Sequence, residues 1–436
     1  MLPFRFIHAA DLHLDSPFAG MSGLTDRIRK HLQQSTFIAL NRLVQLAVTE
    51  RVDFVVISGD IYDSSNTSLR AQLRFMEALQ VLDEEQIPVY IIHGNHDPLD
   101  SPRLAVTMPP LVHIFGSEPE TVTAVHRNDG REVAVITGMS YPTSKVTENI
   151  SLRYDKRATD SDLFHIGLLH ANVDGDQEHE TYAPCTKKDL ISSGYHYWAL
   201  GHIHSRRILQ ESPYIVYPGN IQGRHIRETG SKGCYVIDVN EAGTVDMNFH
   251  ELDTVRWFDK EVSIDHCHHP EELRLDIEEL LASIANSYTS GLSMVRIRIK
   301  GRGPVHRHLE DGFILDDILT ELRRREDNRF GAAGFAGGVW VEGFRLDSGT
   351  EIQMEHLLEE DSFIGEMLRL AEAELSGEAG RDSVIGRALK PLMEQAEIRL
   401  LLSGISVEEQ KEWLRRAMEL TAILLLDEQE SGGASA

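Results

Sequence analysis

Over residues 1–250, short apolar runs alternate with segments of helical periodicity, and this order constrains the fold more than any other feature of the sequence. The apolar runs predict strands at Phe4–Ala9, Phe54–Ser58, Val89–His93, Val133–Thr137, His165–Leu169, Tyr197–Leu200 and Tyr214–Tyr217. Helical periods lie between them, one carrying Ile28, Leu32, Leu40 and Leu43 and the other Leu69, Leu73, Met76 and Leu79. This alternation predicts an α/β fold in layers around a largely buried sheet.

Residues 254–345 follow a different pattern, typical of a small α+β module. Strands are predicted at Val255–Ile264, Ser293–Ile299 and Gly338–Phe344, around a helix at Pro270–Ala285. The glycine-rich run Arg329–Gly338 predicts a loop. In the second strand Arg296, Arg298 and Lys300 alternate with apolar residues, which indicates a half-exposed strand with a basic face.

Residues 347–430 are helical in pattern almost throughout. Ser406 and Glu409 have the spacing of a capping box, which predicts the start of a helix. The apolar face of this region is formed by Met354, Leu358, Met367, Leu368, Leu389, Leu392 and Met393. We therefore predict a domain at 1–253, an α+β domain at 254–346, a helical region at 347–430 and a disordered tail at 431–436.

The charge of the chain excludes one class of function. Its 43 basic and 69 acidic side chains give a formal net charge of −26, so bulk charge does not hold it on nucleic acid or anionic lipid. Most of the acidic excess lies in residues 251–436, which carry 21 basic and 38 acidic side chains. Contact with a polyanion then requires a local site, a metal or a partner.

The cysteines and the apolar segments indicate the cellular setting. Cys185, Cys234 and Cys267 are far apart, so neither a zinc knuckle with paired cysteines nor a disulfide framework is expected. The N-terminal segment has the pattern of a strand rather than of a signal peptide, and no apolar run reaches the ~20 residues of a membrane helix. We therefore expect a soluble protein of the reducing cytoplasm, without a membrane span.

Five polar clusters carry the chemistry of the sequence, and each follows a predicted strand. They are Asp11-Leu12-His13, Gly59-Asp60-Ile61-Tyr62-Asp63, Gly94-Asn95-His96-Asp97, His170 and Gly201-His202-Ile203-His204. Ligands of open α/β sheets bind at the carboxyl ends of the strands. Residues two apart on an extended chain point to the same side, so Asp-x-His and His-x-His each direct two side chains at one cavity.

The clusters supply seven candidate metal ligands: Asp11, His13, Asp60, Asn95, His170, His202 and His204. Carboxylate, imidazole and amide donors without sulfur are too rich in nitrogen for calcium or magnesium, and they fit manganese, iron or zinc. Seven donors exceed the needs of one ion, which predicts two. Any one cluster is compatible with a solvated turn or a structural histidine, but all five in this order favour a metal site. Glycines precede Asp60, Asn95 and His202 and predict a tight turn or a close backbone approach there.

In this order the clusters resemble the calcineurin-like metallophosphoesterase superfamily, whose pattern is Asp-x-His, Gly-Asp-x-x-Asp, Gly-Asn-His-Asp, a lone His and Gly-His-x-His. The resemblance implies a four-layer α/β/β/α sandwich and two divalent ions, with manganese as the activating metal. One ion would be held by Asp11, His13, Asp60 and His204. The other would be held by Asp60, Asn95, His170 and His202, with Asp60 bridging the pair.

Within the superfamily the sequence is most similar to the SbcD-type DNA repair nucleases, and to their bacterial YhaO subgroup. The segments that carry this similarity are Ala-Asp-Leu-His-Leu-Asp-Ser-Pro at 10–17, Tyr-Pro-Gly-Asn-Ile-Gln-Gly-Arg at 217–224 and Gly-Ser-Lys-Gly-Cys-Tyr-Val at 230–236. The resemblance implies that the α+β domain caps the active site and that the Leu69–Leu79 helix forms a homodimer. It also implies that an SbcC-like coiled-coil ATPase docks on the apolar face of the helical tail. The alternative is that this face packs on the protein's own core.

By the same resemblance, His96 is the general acid on the leaving oxygen, a role that suits imidazole because its pKa lies near neutral pH. Asp63 orients His96 or a water at the metals, or instead caps the Leu69–Leu79 helix. The implied function is a manganese-dependent DNA exonuclease or endonuclease of an SbcCD-like repair complex. Local phosphate contacts are expected from Arg224 and from the basic face of Arg296, Arg298 and Lys300.

Other functions remain open at this level. Protein phosphatases of the superfamily continue the second motif with Arg-Gly and end the third in Glu, whereas Ser64 and Asp97 stand here. A cyclic-nucleotide-type, small-molecule phosphodiesterase would not need residues 254–436. A non-catalytic scaffold typically loses ligand histidines, and here all seven donor positions and His96 are intact.

Overall fold

The computed structural model describes residues 1–18, 23–63, 68–102, 107–157, 162–176, 180–333, 338–350, 354–376, 384–393, 402 and 405–432. The chain divides into two compact units. The first contains Met1–Lys260, Glu278–Ile297 and Asp317–Arg345, and the second contains Glu261–Ile277, Arg298–Asp316 and Leu346–Ala436. The division passes through three strands of the α+β module, and the predicted boundaries after residues 253 and 346 stay predictions.

A first six-stranded sheet lies in the first unit. Its strands are β1 (Phe4–Ala9), β2 (Phe54–Ser58), β3 (Val89–Ile92), β4 (Val112–Ile114), β11 (Gly233–Val239) and β12 (Val245–Glu251). Their order is β12-β11-β1-β2-β3-β4. β1 to β4 run parallel, whereas β11 pairs antiparallel with β1 and β12. Every residue of β2 and β3 is buried, as expected for central strands covered on both faces.

A second six-stranded sheet completes the sandwich. Its strands are β5 (Glu120–Val125), β6 (Glu132–Gly138), β7 (Phe164–His170), β8 (Tyr197–Gly201), β9 (Arg207–Glu211) and β10 (Tyr214–Tyr217), in the order β5-β6-β7-β8-β10-β9. β6, β7, β8 and β10 are parallel, and the edge strands β5 and β9 are antiparallel to their neighbours. All seven predicted strands of this region are confirmed to within one residue at each end. Five further strands, β4, β5, β9, β11 and β12, were not predicted.

The two sheets pack face to face through an aromatic core. Phe6 of the first sheet lies edge-on against Tyr197 of the second, with ring centroids 5.5 Å apart. Helices α1 (Asp26–Thr49) and α2 (Leu69–Glu84) cover the outer face of the first sheet. Helix α3 (Lys187–Ser192) and a 3₁₀ turn at Ile150–Arg153 pack on the outer face of the second. The four-layer α/β/β/α prediction is therefore confirmed.

The α+β module contains a three-stranded sheet, ordered β13 (Val255–Ser263), β14 (Leu292–Lys300), β15 (Gly338–Leu346). Its helices are α4 (Pro270–Ser287), α5 (His306–Leu309) and α6 (Phe313–Ala333). The loop prediction is wrong over residues 329–333, which continue α6; residues 334–337 lie outside the described part. Ion pairs at helical spacing, such as Arg329 with Glu326, support the last turns of α6 despite the glycine that follows.

The basic face of β14 is compensated by its neighbours. Arg296 makes an ion pair of 2.7 Å with Glu342 on β15. Arg298 and Lys300 both pair with Glu261 on β13, at 3.2 and 2.6 Å. The predicted half-exposed strand with a basic face is confirmed, since Arg296, Arg298 and Lys300 are partly exposed and the apolar residues between them are buried. Strand alternation does not reveal the carboxylates on adjacent strands that compensate this charge.

The tail forms helices α7 (Met354–Glu359), α8 (Phe363–Ser376), α9 (Val384–Met393) and α10 (Val407–Gly432). They share a small core of Leu357, Ile364, Leu368, Leu414, Met418 and Ala422. The predicted capping box is confirmed, since Ser406 N–H donates to Glu409 Oε2 at 2.7 Å and Glu409 N–H donates to Ser406 Oγ at 3.2 Å. Of the predicted disordered tail, residues 431–432 end α10, and 433–436 lie outside the described part.

The apolar face of the tail is only partly used by this packing. Leu368 is fully buried, and Leu358, Met367 and Leu389 pack at the edge of the core. Leu392 is exposed, and the side chains of Met354 and Met393 are outside the described set. Among the described helices, none combines the length and the apolar character needed to cross a membrane.

Candidate metal centre

The carboxyl ends of five parallel strands bring the polar clusters together. Asp11 follows β1, Asp60 follows β2 and Asn95 follows β3, which are neighbours in the first sheet. His170 ends β7 and His202 follows β8, which are neighbours in the second sheet. Because the two sheets face each other, their strand ends converge on one site, as the sequence predicts.

The predicted donors lie within a few ångströms of one another. His13 Nε2 and His204 Nε2 are 3.1 Å apart, and His13 Nε2 lies 3.7 Å from Asp60 Oδ2. Asp60 Oδ2 is also 3.3 Å from His170 Nε2. Asn95 Oδ1 lies 3.0 Å from His170 Nε2 and 3.2 Å from His202 Nδ1. The amide N–H of His202 donates to Asp11 Oδ1 at 3.0 Å, which completes the set of seven.

The backbone at these positions adopts the left-handed conformation. The φ angles are 53° at Asp11, 41° at His13, 52° at Asp60 and 99° at His202. Residues other than glycine rarely hold this conformation, and it costs of order 1 kcal/mol or more per residue. Four of the seven predicted donors carry this strain, which turns each chain sharply after its strand and points the side chain into the site.

The glycines that precede the donors provide close approach. A Cβ atom on Gly94 would stand 2.3 Å from Asp60 Oδ1, and one on Gly201 would stand 1.9 Å from the Ser58 carbonyl oxygen. Both distances are far below a van der Waals contact. The prediction of a close backbone approach at these strand ends is confirmed.

A second layer of hydrogen bonds orients three imidazoles. His170 Nδ1 lies 2.8 Å from the carbonyl oxygen of Ser58, and His202 Nε2 lies 2.8 Å from that of Glu180. A carbonyl only accepts, so each of these nitrogens carries a proton, and the other ring nitrogen is directed at the centre. His204 Nδ1 lies 2.7 Å from the Glu228 carboxylate, which sets the same tautomer.

The electrostatics of the buried carboxylates fit divalent ions. Burial raises the pKa of Asp11, against the opposing charges of His204 and His170. Burial alone would also raise the pKa of Asp60, but the charge and hydrogen bond of His170 outweigh it and hold that pKa well below its usual range. Burial holds the pKa of His13 well below normal, and its Nδ1 is buried without a hydrogen-bond partner among the described residues. Imidazoles that face two buried carboxylates form a donor set suited to manganese, iron or zinc.

His96 lies at the rim of this centre. Its ring centroid is 5.0 Å from that of His13, and its amide N–H donates to Asp60 Oδ1 at 2.9 Å. His96 Nδ1 lies 3.3 Å from Asp63 Oδ1. The side chain of His96 is 35% exposed, whereas that of His13 is 1% exposed, so solvent reaches His96 but not His13.

Asp63 belongs to the site and not to the start of α2. Ser68 caps that helix, since its Oγ accepts from the amide of Ala71 at 2.9 Å, and the capping interpretation of Asp63 is wrong. Asp63 Oδ2 accepts from Ser16 Oγ at 2.7 Å and lies 3.5 Å from Arg224 Nη1. Asp63 is therefore held on one side by Ser16 and Arg224 and contacts His96 on the other.

Comparison with known proteins agrees with this geometry. Residues 4–206 match the family model "Calcineurin-like phosphoesterase", and residues 257–349 match "Metallophosphoesterase YhaO, middle domain". Metallophosphoesterase YhaO of Bacillus subtilis is 38% identical over 363 residues, which cover 83% of this chain and 85% of that protein. The chain belongs to the calcineurin-like metallophosphoesterases.

More distant relatives align with a shorter part of the chain. The DNA double-strand break repair protein Mre11 of Aeropyrum pernix is 26% identical over 240 residues, 52% of this chain and 56% of that protein. The SbcD component of the nuclease SbcCD of Bacillus subtilis is 23% identical over 268 residues, 54% of this chain and 66% of that protein. As a member of the metallophosphoesterase family, the chain is a metal-dependent phosphoesterase hydrolase.

Three residues that support this metallophosphoesterase site were not predicted from the sequence. Glu228 contacts His204, and Ser16 contacts Asp63. Glu228 stands alone in the sequence without a motif that marks it, whereas Ser16 lies in the quoted segment 10–17 but had no role there. Asp97 was part of a quoted motif without a role. Its carboxylate accepts from the amides of Ile61 and Gly94, both at 2.9 Å, and so shapes the turns that carry Asp60 and Asn95. The signal available for Asp97 was an acidic residue inside the Gly-Asn-His-Asp cluster.

Proposed function

We propose that this metallophosphoesterase is a two-metal, manganese-dependent DNA nuclease. The observation that carries the proposal is the convergence of all seven donors on one centre with His96 exposed at its rim. One ion would be held by Asp11, His13, Asp60 and His204. The other would be held by Asp60, Asn95, His170 and His202.

The contacts group several of the donors in this way, and Asp11 lies near donors of both proposed ions. Ligand atoms of Asp11, His13 and His204 lie together in one group, and those of Asp11, Asp60 and His170 lie together in a second. Asp60 Oδ2 approaches His13 of the first group and His170 of the second, at 3.7 and 3.3 Å. A carboxylate in this position is suited to bridge two ions.

Two divalent ions would activate a water and neutralise charge on the phosphodiester. The chain itself would supply the proton for the leaving oxygen from His96. Burial alone would lower the pKa of His96, but the hydrogen bond and the charges of Asp63 and Asp60 outweigh it and raise that pKa. The raised pKa favours the protonated imidazole, and Asp63 holds the ring by its Nδ1.

The proposed substrate is DNA. The relatives named Mre11 and SbcCD support it, together with the subgroup motifs at 217–224 and 230–236. The cations of β14 are paired with carboxylates, and Arg224 is buried and lies against Asp63 and Glu228, so local attraction of DNA would come from the metals. We expect weak DNA binding by the isolated chain, in line with its net charge of −26.

The deciding experiment is a nuclease assay on linear duplex and single-stranded DNA with manganese or magnesium, using the wild type and His96→Ala. We expect manganese-dependent cleavage that falls by a factor of about 10² or more in His96→Ala, with metal content unchanged. His356→Ala changes an exposed histidine of α7 and is the matched control, expected to retain full activity.

Three results would contradict the proposal. Full activity of His96→Ala would show that His96 is not the general acid. Turnover of a cyclic nucleotide without DNA cleavage would indicate a small-molecule phosphodiesterase. Absence of bound metal and of any turnover in the wild type would indicate a non-catalytic scaffold.

The helical tail is proposed to dock an SbcC-like coiled-coil ATPase. Its own core leaves Leu370 on α8 and Leu420 and Leu424 on α10 exposed. Leu370→Glu with Leu424→Glu should abolish co-purification of the co-expressed ATPase and preserve nuclease activity. Leu152→Glu, an exposed leucine of the first unit, is the control and should leave co-purification intact.

A homodimer through α2 and a cytoplasmic location also stay predictions. Leu69 and Leu73 on α2 are exposed, which supports an apolar contact between copies. Light scattering should report a dimer for the wild type and a monomer for Leu69→Glu with Leu73→Glu. A monomeric wild type would contradict the dimer.

A further inference from the structure

A second group of metal-ligating side chains lies in the second unit, in the loop between β13 and α4. The loop has the sequence Asp265-His266-Cys267-His268-His269. His266 Nε2 lies 3.0 Å from Asp276 Oδ2, an oxygen on the second turn of α4. Cys267 Sγ lies 3.7 Å from the same oxygen and 4.0 Å from His266 Nε2. A thiol, an imidazole and a carboxylate therefore face one another at a single point.

These three distances fit the size of a transition-metal ion. A point equidistant from the three atoms lies about 2.1 Å from each, within the ~2.0–2.3 Å of zinc bonds to oxygen, nitrogen and sulfur. An ion slightly above that plane would have three ligands of a tetrahedron. Its fourth position would face solvent, because the side chain of His266 is 66% exposed.

The loop is held in this shape by hydrogen bonds that do not involve the three ligand groups. The Cys267 amide donates to the Ile264 carbonyl at 2.9 Å. Asp265 Oδ1 accepts from the amide of Arg302 at 2.7 Å, which ties the loop to the chain after β14. Glu272 accepts from the amides of His268 and His269, at 2.6 and 3.2 Å. The ligands are thus arranged before any ion binds, which reduces the entropy lost on binding.

We propose that His266, Cys267 and Asp276 form a binding site for one zinc-like divalent transition-metal ion, separate from the dinuclear centre. The mixed sulfur, nitrogen and oxygen donors favour zinc or cobalt over magnesium, calcium or manganese. Binding releases the thiol proton of Cys267 to solvent and leaves the thiolate on the metal. The ion would fasten the β13–α4 loop to α4 through Asp276.

Without a cation, the same groups form ordinary hydrogen bonds. Burial and the negative charge of Asp276 raise the pKa of the Cys267 thiol to about 11, so that the thiol stays protonated. An ion pair of His266 with Asp276 and an uncharged thiol is the competing account. It predicts no affinity for zinc or cobalt beyond that of an exposed histidine.

Cobalt binding followed by absorption spectroscopy separates the two accounts. A thiolate-to-cobalt charge-transfer band requires a sulfur ligand, and the dinuclear donor set has none. We expect the full-length wild type to develop this band with the intensity of one thiolate-bound cobalt ion per chain. The band should disappear when zinc is added. Cys267→Ser should lack the band, and His266→Ala and Asp276→Asn should weaken it.

Controls keep the outcome distinct from that of the nuclease assay. Cys234→Ala changes a cysteine buried in the first sheet and should retain the band. Cys267→Ser should keep the manganese-dependent activity of the wild type. In the presence of a chelator its circular dichroism spectrum should also match that of the wild type. Absence of the band in the wild type, or its persistence in Cys267→Ser, overturns the proposal. If Cys267→Ser does not fold, His266→Ala provides the test, because His266 is exposed. An unchanged band in His266→Ala would also overturn the proposal.

Discussion

The carboxylate of Asp63 lies 3.3 Å from Nδ1 of His96, at the rim of the metal centre. Each of the two side chains shifts the pKa of the other. The hydrogen bond with His96 lowers the pKa of Asp63, and that of Asp63 raises the pKa of His96 against the effect of burial. The contact therefore favours the pair of an imidazolium and a carboxylate, which is the state a proton donor requires.

Asp63→Asn should lower activity by a factor of about 10 to 100 and shift its pH dependence. Without the carboxylate the pKa of His96 falls, so the protonated donor is lost at a lower pH. We expect the alkaline limb of the pH–rate profile to move to lower pH, while the metal content stays unchanged. An unshifted alkaline limb would show that Asp63 does not act through His96.

Glu228→Gln should weaken metal binding. Glu228 lies 2.7 Å from Nδ1 of His204 and orients its Nε2 toward the centre. Loss of such an outer partner typically costs about 10- to 100-fold in affinity, and we expect a shift of that size in the manganese titration of activity. Glu118→Gln, at an exposed carboxylate paired with Arg153, is the matched control. Equal affinity in the two variants would contradict the role of Glu228.

Gly201→Ala should disrupt the site because its Cβ would meet the Ser58 carbonyl oxygen at 1.9 Å. Movement of Ser58 also displaces His170, which is hydrogen-bonded to that carbonyl. We expect loss of bound metal and a lower melting temperature, measured by elemental analysis and calorimetry. Gly116→Ala adds a Cβ with no atom within 4 Å and should match the wild type in both measurements.

His8 should make the stability of the protein depend on pH. It is fully buried between the sheets, where Nδ1 lies 3.0 Å from Tyr197 Oη, and burial lowers its pKa to about 3. The unfolded chain has the ordinary pKa of about 6.5 and binds the proton first as pH falls, so stability is lost below about pH 6.5. This residue should account for about 2 kcal/mol between pH 7.5 and pH 5.

The test is urea denaturation of the wild type and of His8→Gln at the two pH values. The variant should be less stable at about pH 7.5, and its loss of stability toward pH 5 should be smaller by about 2 kcal/mol. An equal loss in both proteins would show that other groups carry the acid sensitivity.

Removal of divalent ions should destabilise the first unit. Asp11 and Asp60 are both buried, and bound cations would compensate their charges. At a free ion concentration of about 100 times Kd, each site contributes about 2.7 kcal/mol, so the melting temperature should fall in chelator and recover with manganese. Performing the scan on Cys267→Ser excludes the loop site. No change in melting temperature would indicate that neither ion stabilises the fold.

The strand ends and their donors were accessible from the sequence because both are local features. A buried parallel strand is a short apolar run, and the chain must turn directly after it, so Asp11, Asp60 and Asn95 were placed at one edge without a structure. Strands such as β5 and β9 were missed because edge strands are half-exposed and carry no continuous apolar run.

Local sequence patterns were sufficient for the class of fold, the seven candidate donors and the position of His96 beside them. The folded chain was needed to show that Asp63 contacts His96 rather than capping α2, that Glu261 and Glu342 neutralise the basic strand, and that Glu228 orients His204. Each of these depends on two residues that are distant along the chain and close in space. Hydrophobic periodicity records which way a side chain faces, but it does not record which charged group lies opposite.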